Sequence, residues 1–213
     1  MKFPDYCIVQ FTKAPGSRPV KTRMASVLDP EERKQLHCAM TRYISDTIAK
    51  ANLCALQVWV DGDPDELFIA DLCGRFDLQC HAQQGEDLGA RIYNAAKQTL
   101  KNFTGVVFIG SDCPFIEPDY LHRALVELQN QDAVVGPASD GGYVLLGLRR
   151  LSSALFNNIA WGTGEVLAAT EARLLELDWS YTLLPLLPDI DRPDDLGLLA
   201  QGKLPATLRR FAP

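Results

Sequence analysis

The sequence predicts an α/β fold of three layers, with helices covering both faces of a mostly parallel central sheet. Short β-rich or wholly apolar runs recur along the chain, and the segments between them carry apolar residues at helical spacing. Val106 to Ile109, apolar at every position, suits the buried centre of a parallel sheet. With 213 residues, 47% hydrophobic and 23% charged, the chain can bury a sizeable core, and we expect residues 1–213 to form a single domain.

Tyr6 to Thr12 reads as the first strand, and a loop carrying Pro15, Gly16 and Pro19 follows it. Asp29-Pro30-Glu31-Glu32 signals a helix start, with Asp29 as N-cap and Glu32 reaching back. Leu36, Met40, Tyr43, Ile44, Ile48 and Ala51 then mark one apolar helix face. Ala55 to Val60 is a strand that Asp61-Gly62-Asp63-Pro64 breaks. A short helix around Glu66 to Leu72 and a strand near Asp77 to Ala82 come next. Leu88 to Leu100 is helical, Val106 to Ile109 a strand, Pro118 to Leu128 a helix and Ala133 to Val135 a strand. Tyr143 to Leu148, a helix over Glu165 to Leu177 and a strand near Tyr181 to Leu184 complete the alternation. This order is Rossmann-like, and in such sheets ligands bind at the carboxyl ends of the strands.

Charge and composition narrow the partners. A formal net charge of -6 argues against a nucleic-acid binder, which would show a basic face or stripe. It leaves room for a small anionic substrate, because phosphate binding needs only a few local cations and backbone N–H groups. No apolar run approaches the roughly 20 residues of a membrane span, so no integral membrane segment is expected. The segment MKFPDYCIVQF lacks the features of a signal peptide, and a cytoplasmic location is the expectation. Six scattered cysteines suit reduced core positions; Cys73, Cys80 and His81 cluster, but at a spacing that fits no common zinc pattern.

Four loops carry candidate chemistry. Lys13-Ala14-Pro15-Gly16-Ser17-Arg18-Pro19-Val20-Lys21-Thr22-Arg23 gathers four cations, Lys13, Arg18, Lys21 and Arg23, beside the flexible backbone of Gly16. That combination suits a di- or triphosphate, although taken alone it reads first as a solvated basic loop. Gly110-Ser111-Asp112 ends an apolar strand, where Asp112 can hold Mg²⁺ or Mn²⁺ through oxygen or simply cap the next turn. Asp140-Gly141-Gly142-Tyr143 allows close backbone approach to a ligand and offers Asp140 to hydroxyls; it also reads as an ordinary Asp-Gly turn. In Asp189-Ile190-Asp191-Arg192-Pro193-Asp194-Asp195, Asp191 suits a helix N-cap, and Asp189 or Asp191 can supply a second metal ligand. Asp87 suits an N-cap, Arg91 can face a ligand, and Trp161 can line an acceptor pocket or pack in the core. His37, His81 and His122 fall within helices or at a strand end, away from these loops, so no Ser/His/Asp or Cys/His arrangement is expected. Cys113 lies in a site loop without an evident activating histidine.

Taken together, KAPGSRPVKTRM, QQGEDLGARI, FIGSDCPFI, VVGPASDGGYVLLGLRR, LFNNIAWGTGEVL and DIDRPDDL resemble, in order, a bacterial and archaeal family labelled GT-A-fold glycosyltransferase or nucleotide-diphospho-sugar transferase. The family is similar to the guanylyltransferases of the molybdenum and F420 cofactor pathways, and the resemblance runs from about Phe11 to Leu196. It implies that Lys13, Lys21 and Arg23 meet phosphates, that Asp112 meets the metal, and that Asp140-Gly141-Gly142 lines the sugar or acceptor side. Gly110-Ser111-Asp112 carries only the second acid of the D-x-D loop found in GT-A enzymes, so a second ligand must come from elsewhere or be water. The leading expectation is glycosyl transfer from a nucleoside-diphosphate sugar, with Asp140 as acceptor-activating base. The alternative is nucleotidyl transfer from a nucleoside triphosphate to a phosphorylated acceptor, with Lys21 and Arg23 stabilising the pentavalent phosphorus. A non-catalytic nucleotide-sugar binding protein is the third.

Overall fold

The computed structural model describes residues 1–201 and 203–213. Strand β1 (Tyr6–Lys13) lies among parallel neighbours, with β2 (Ala55–Asp61) on one side and β4 (Gly105–Ile109) on the other. Beyond β2 lies β3 (Gln79–Ala82); beyond β4 lie β6 (Tyr143–Leu148), β5 (Ala133–Pro137) and β7 (Tyr181–Leu183). The order is therefore β3-β2-β1-β4-β6-β5-β7. Among the described residues only β6 runs against its neighbours. The short connection Ala138–Gly142 cannot make the crossover a parallel pair requires, so β5 and β6 close as a hairpin.

The helices sort onto two faces. α1 (Pro30–Ala51) and α4 (Pro118–Leu128) pack Ile44, Ile48, Leu121, Leu125 and Leu128 against Ile8, Val107, Val134 and Leu145. α3 (Leu88–Thr99) and α5 (Val166–Glu176) pack Ile92, Ala96 and Leu174 against Val9, Val106, Val135 and Leu146 on the other. Alternate residues of each strand feed the two layers, as the period of two demands. α2 (Leu67–Phe76) seals the edge near β2 with Ile69 and Leu72 against Val58 and Val60. Asp77, in a left-handed conformation with φ 51°, ends α2, which is why β3 starts at Gln79 rather than at Asp77.

The helix start at Asp29 forms as the sequence predicts. The Asp29 carboxylate accepts the Glu32 N–H at 2.8 Å, and the Glu32 carboxylate accepts the Asp29 N–H at 2.8 Å. The start at Asp191 does not. Arg192 is the N-cap of the 3-10 segment Pro193–Ala200, and the carboxylate that serves it is Asp195, which accepts the N–H groups of Asp191 and Arg192 at 2.9 and 2.6 Å. Asp195 reaching back from inside the turn leaves the Asp191 side chain free to turn elsewhere. No helix among the described residues is long and apolar enough to cross a membrane.

Candidate active site

The chain leaves β1 toward β2 and β3 and later returns to place β4 on the opposite side of β1, so a crevice opens where the connections diverge. A cleft of about 540 Å³ occupies this place. Lys13, Lys21, Arg23, Arg91, Asp112, Asp140, Gly142, Tyr143, Trp161, Asp189 and Asp191 all line it. Residues far apart in the sequence thus share one wall-to-wall site.

Lys21 is its centre. The residue has φ 48° and ψ 41°, a left-handed backbone that costs a non-glycine residue on the order of 1 kcal/mol. Its side chain is 2% exposed and donates to Asp112 Oδ1 at 2.5 Å and to the Ile190 carbonyl. Ile190 in turn donates its N–H to the Asp112 carbonyl at 2.8 Å, so three loops are tied by one ammonium and one backbone bond. Met24, fully buried beside Leu36, Met40 and Ile190, anchors the cationic loop from below. Arg23 donates to Asp191 Oδ2 at 2.7 Å and to the Gly162 carbonyl at 3.2 Å.

The acids respond to these surroundings. Asp112 is half-exposed; what hydration it loses in the cleft works against its charge, but the Lys21 ammonium outweighs this and holds the carboxyl below its usual range. Asp189 has no such cation. Burial first, then the charges of Asp140, Asp195 and Asp191, push it up to about 6. Asp140 is exposed; its carboxylate accepts the Gly142 N–H at 2.9 Å, so the Asp-Gly turn forms at the cleft rim.

Several predicted ligands stand elsewhere or have other partners. The Gly16 N–H donates to the Glu66 carboxylate at 2.8 Å, and Gly16 does not line the cleft. Arg18 pairs with Asp61 at 3.1 Å and also lies off the cleft wall. Arg91 faces the cleft but is held by the same Asp61, at 2.8 Å. Gly141 lies behind the wall: a Cβ there would meet the Gly164 carbonyl oxygen at 2.1 Å. Trp161 lines the cleft and packs on the Ile92 layer. Asp87 is the N-cap of α3, accepting the Ala90 N–H at 2.7 Å.

The expectation that the histidines lie away from the loops fails for His37. Its Nε2 donates to the Lys13 carbonyl at 3.0 Å and lies 3.3 Å from Thr12 Oγ1, and the ring lines the cleft floor. Burial lowers its pKa, opposed by the charge of Asp112. Beneath it a polar spine runs through Thr12, Thr41, Gln10, Ser45 and Ser111, joining α1 to β1 and to the loop after β4. Sequence reasoning also missed Asp61 and Gln83, which line the cleft. Asp61 ends a strand on the ligand edge of the sheet, a positional signal sufficient to have found it. Cys113 is buried, donates to the Pro188 carbonyl at 3.2 Å, and burial pushes its thiol up to about 12; it is no nucleophile.

Asp112, Asp189 and Asp191 are oxygen donors of the kind a hard divalent cation takes, and all three face the cleft. The crowding of Asp189 by Asp140, Asp195 and Asp191, on top of its burial, is what such a cation would relieve. The donor chemistry fits. In the structure, however, Asp112 and Asp191 hold Lys21 and Arg23, and among the described residues no three His, Cys, Asp or Glu side chains are grouped to hold a metal ion.

Comparison with known proteins agrees with this architecture. Two proteins named 2-phospho-L-lactate guanylyltransferase, from Methanocaldococcus infernus and Methanocaldococcus fervens, are 25% and 28% identical over 179 and 180 residues. The matches cover 84% of this chain and 77% and 78% of theirs. A crystal structure from Desulfovibrio desulfuricans G20, provisionally described as a nucleotide-diphospho-sugar transferase, is 28% identical and superposes with a TM-score of 0.86. That match covers 98% of this chain and 91% of the other. The fold is the Rossmann-like one of nucleotidyl- and glycosyltransferases, and the chain is an enzyme of the transferase class. Residues 44–163 match the family described as "Uncharacterized protein conserved in bacteria (DUF2064)", and the chain belongs to it.

Proposed function

We propose that the chain is a nucleotidyltransferase that couples a nucleoside triphosphate to a small phosphorylated acceptor and releases pyrophosphate. The observation that carries this reading is the meeting of Lys21 and Arg23 with Asp112 and Asp191 in one cleft at the switch point. The names of the two Methanocaldococcus relatives favour it over glycosyl transfer. An oxygen of the acceptor's phosphate attacks the α-phosphorus, and the bond from that phosphorus to the bridging oxygen breaks, sending its electron pair to pyrophosphate. No proton need move if the attacking oxygen is already anionic, so the site requires positioning and charge stabilisation rather than a strong base.

Lys21 and Arg23 then stabilise the negative charge that grows on the phosphorus oxygens, and Lys13 and Arg91 at the cleft wall hold the leaving phosphates. His37 fixes the Lys13 carbonyl, and so the direction in which the cationic loop leaves β1. A divalent cation held by Asp112 with Asp189 or Asp191 would supply further neutralisation of the triphosphate. Asp140, Gly142, Tyr143 and Trp161 form the wall left for the acceptor.

The test is incubation with a panel of nucleoside triphosphates and phosphorylated acceptors, with Mg²⁺ or Mn²⁺, read by pyrophosphate release. Activity from nucleoside-diphosphate sugars with release of a nucleoside diphosphate, and none from triphosphates, would instead establish glycosyl transfer. That second reading has the Desulfovibrio structure's description in its favour; under it, Asp140 activates the acceptor hydroxyl.

A further inference from the structure

Each cation at the centre of the cleft is paired with an acid from another loop. Lys21 joins the cationic loop to Asp112, and Arg23 joins it to Asp191. The two pairs differ in one respect: the Lys21 side chain is 2% exposed, whereas that of Arg23 is 44% exposed. Arg23 can swing into water when it loses its acid. Lys21 cannot.

We propose that Lys21 is a specificity-determining residue whose charge weakens the hold of Asp112 on a free divalent cation, so that the cleft takes a cation and a polyphosphate together far better than either alone. The proposal rests on the polyphosphate reading above. Asp112 is 51% exposed and Lys21 engages only its Oδ1, so a cation arriving alone can reach Oδ2 but meets a carboxylate whose charge is already countered. It would either share that carboxylate with the nearly buried ammonium or displace it onto the Ile190 carbonyl alone, and in both cases set a double positive charge beside it. A polyphosphate arriving alone must draw Lys21 and Arg23 from their acids. It would leave Asp112 and Asp191 bare beside its own negative charge, in a loop where Asp189 is already crowded by Asp140 and Asp195. Arriving together, they exchange partners: the cation takes the carboxylates, the phosphates take Lys21 and Arg23, and every charge keeps a counter-charge. The left-handed backbone at Lys21 is consistent with a residue held by its surroundings in a position it would not choose alone.

The experiment uses Mn²⁺ as probe and needs no turnover. Binding of Mn²⁺ alone, followed by electron paramagnetic resonance of the free ion, is expected to be at least tenfold tighter in Lys21→Met than in wild type, because the stem remains and the charge is gone. Lys21→Arg should stay as weak as wild type, and Lys21→Met combined with Asp112→Asn should lose the gain. Wild-type protein that binds Mn²⁺ as tightly as Lys21→Met overturns the proposal. Should Lys21→Met not fold, the wild type still decides. Inorganic triphosphate should raise its melting temperature with Mg²⁺ present and not in EDTA, and an equal rise in both refutes partner exchange. No rise in either condition defeats the polyphosphate reading itself, while the manganese comparison continues to judge Lys21.

Discussion

At Asp189 burial and like-charged neighbours act in the same direction, and the consequence is a stability that depends on pH. The folded pKa, about 6, lies above the ordinary aspartate value, so the folded chain holds a proton that the unfolded chain has released. The contribution of this group is therefore fully present below about pH 4 and is lost as pH rises through about 6. In metal-free protein, Asp189→Asn should match wild type at pH 4 and exceed it above pH 6, by on the order of 1–2 kcal/mol once solvent screening of a part-buried group is allowed for. Melting curves from pH 4 to 7.5 in EDTA measure this. An advantage that grew toward low pH would reverse the sign and reject the assignment. His37 answers at the same scale. His37→Phe keeps the ring volume but strips the Lys13 carbonyl of its donor, and should cost about 1–3 kcal/mol and raise KM for the nucleotide more than it lowers kcat. His37→Gln, which can still donate, should recover most of the loss.

Among the elements, the β5–β6 hairpin bears most directly on the site. Gly141 has φ 86°, and its α-carbon lies so near the loop before α5 that a Cβ would sit 2.1 Å from the Gly164 carbonyl oxygen. Because that neighbour is backbone, Gly141→Ala cannot be absorbed by a side-chain rotation. It should lower stability by about 2 kcal/mol or more, a fall of about 4–8 °C in Tm for a chain of this size. Asp29→Ala, by contrast, removes a capping box remote from the cleft and should cost about 1 kcal/mol with activity retained. These elements were legible in the sequence because their signals are local: Asp29 and Glu32 are three residues apart, and the Asp-Gly-Gly turn lies within one loop. His37 and Asp61 were not, for the opposite reason. His37 meets Lys13 only because α1 lies against β1, and Asp61 meets Arg91 only because β2 ends and α3 begins on the same rim. Periodicity places a histidine on a helix; it does not say which strand end that helix turn touches. The antiparallel β6 is different: its apolar strand reads alike in either direction, but the connection after β5 is too short for a crossover, and that length was there to be read.

For the molecule as a whole, what matters is that the sheet delivers several separate connections to one rim, four of which carry the charged centre of the cleft. The loops after β1 and β4, the β5–β6 turn and the segment after β7 each contribute one part of the cleft, and none of them is complete alone. A ligand that bridges them therefore restrains loops from distant parts of the chain, and its binding should register as stability of the entire fold. At a concentration about 100 times its Kd, a nucleoside triphosphate with Mg²⁺ should stabilise the chain by about 2.7 kcal/mol. For a protein of this size that is a rise of about 5–11 °C in Tm. In Asp112→Ala the carboxylate that joins the metal requirement to Lys21 is gone, and the ammonium is already free to meet phosphate. The shift caused by the nucleotide should then be smaller and the same in Mg²⁺ as in EDTA. If Asp112→Ala kept the full metal-dependent rise, the cation would have to be held elsewhere, and the convergence of the four loops on Lys21 and Asp112 would be a feature of packing rather than of ligand binding.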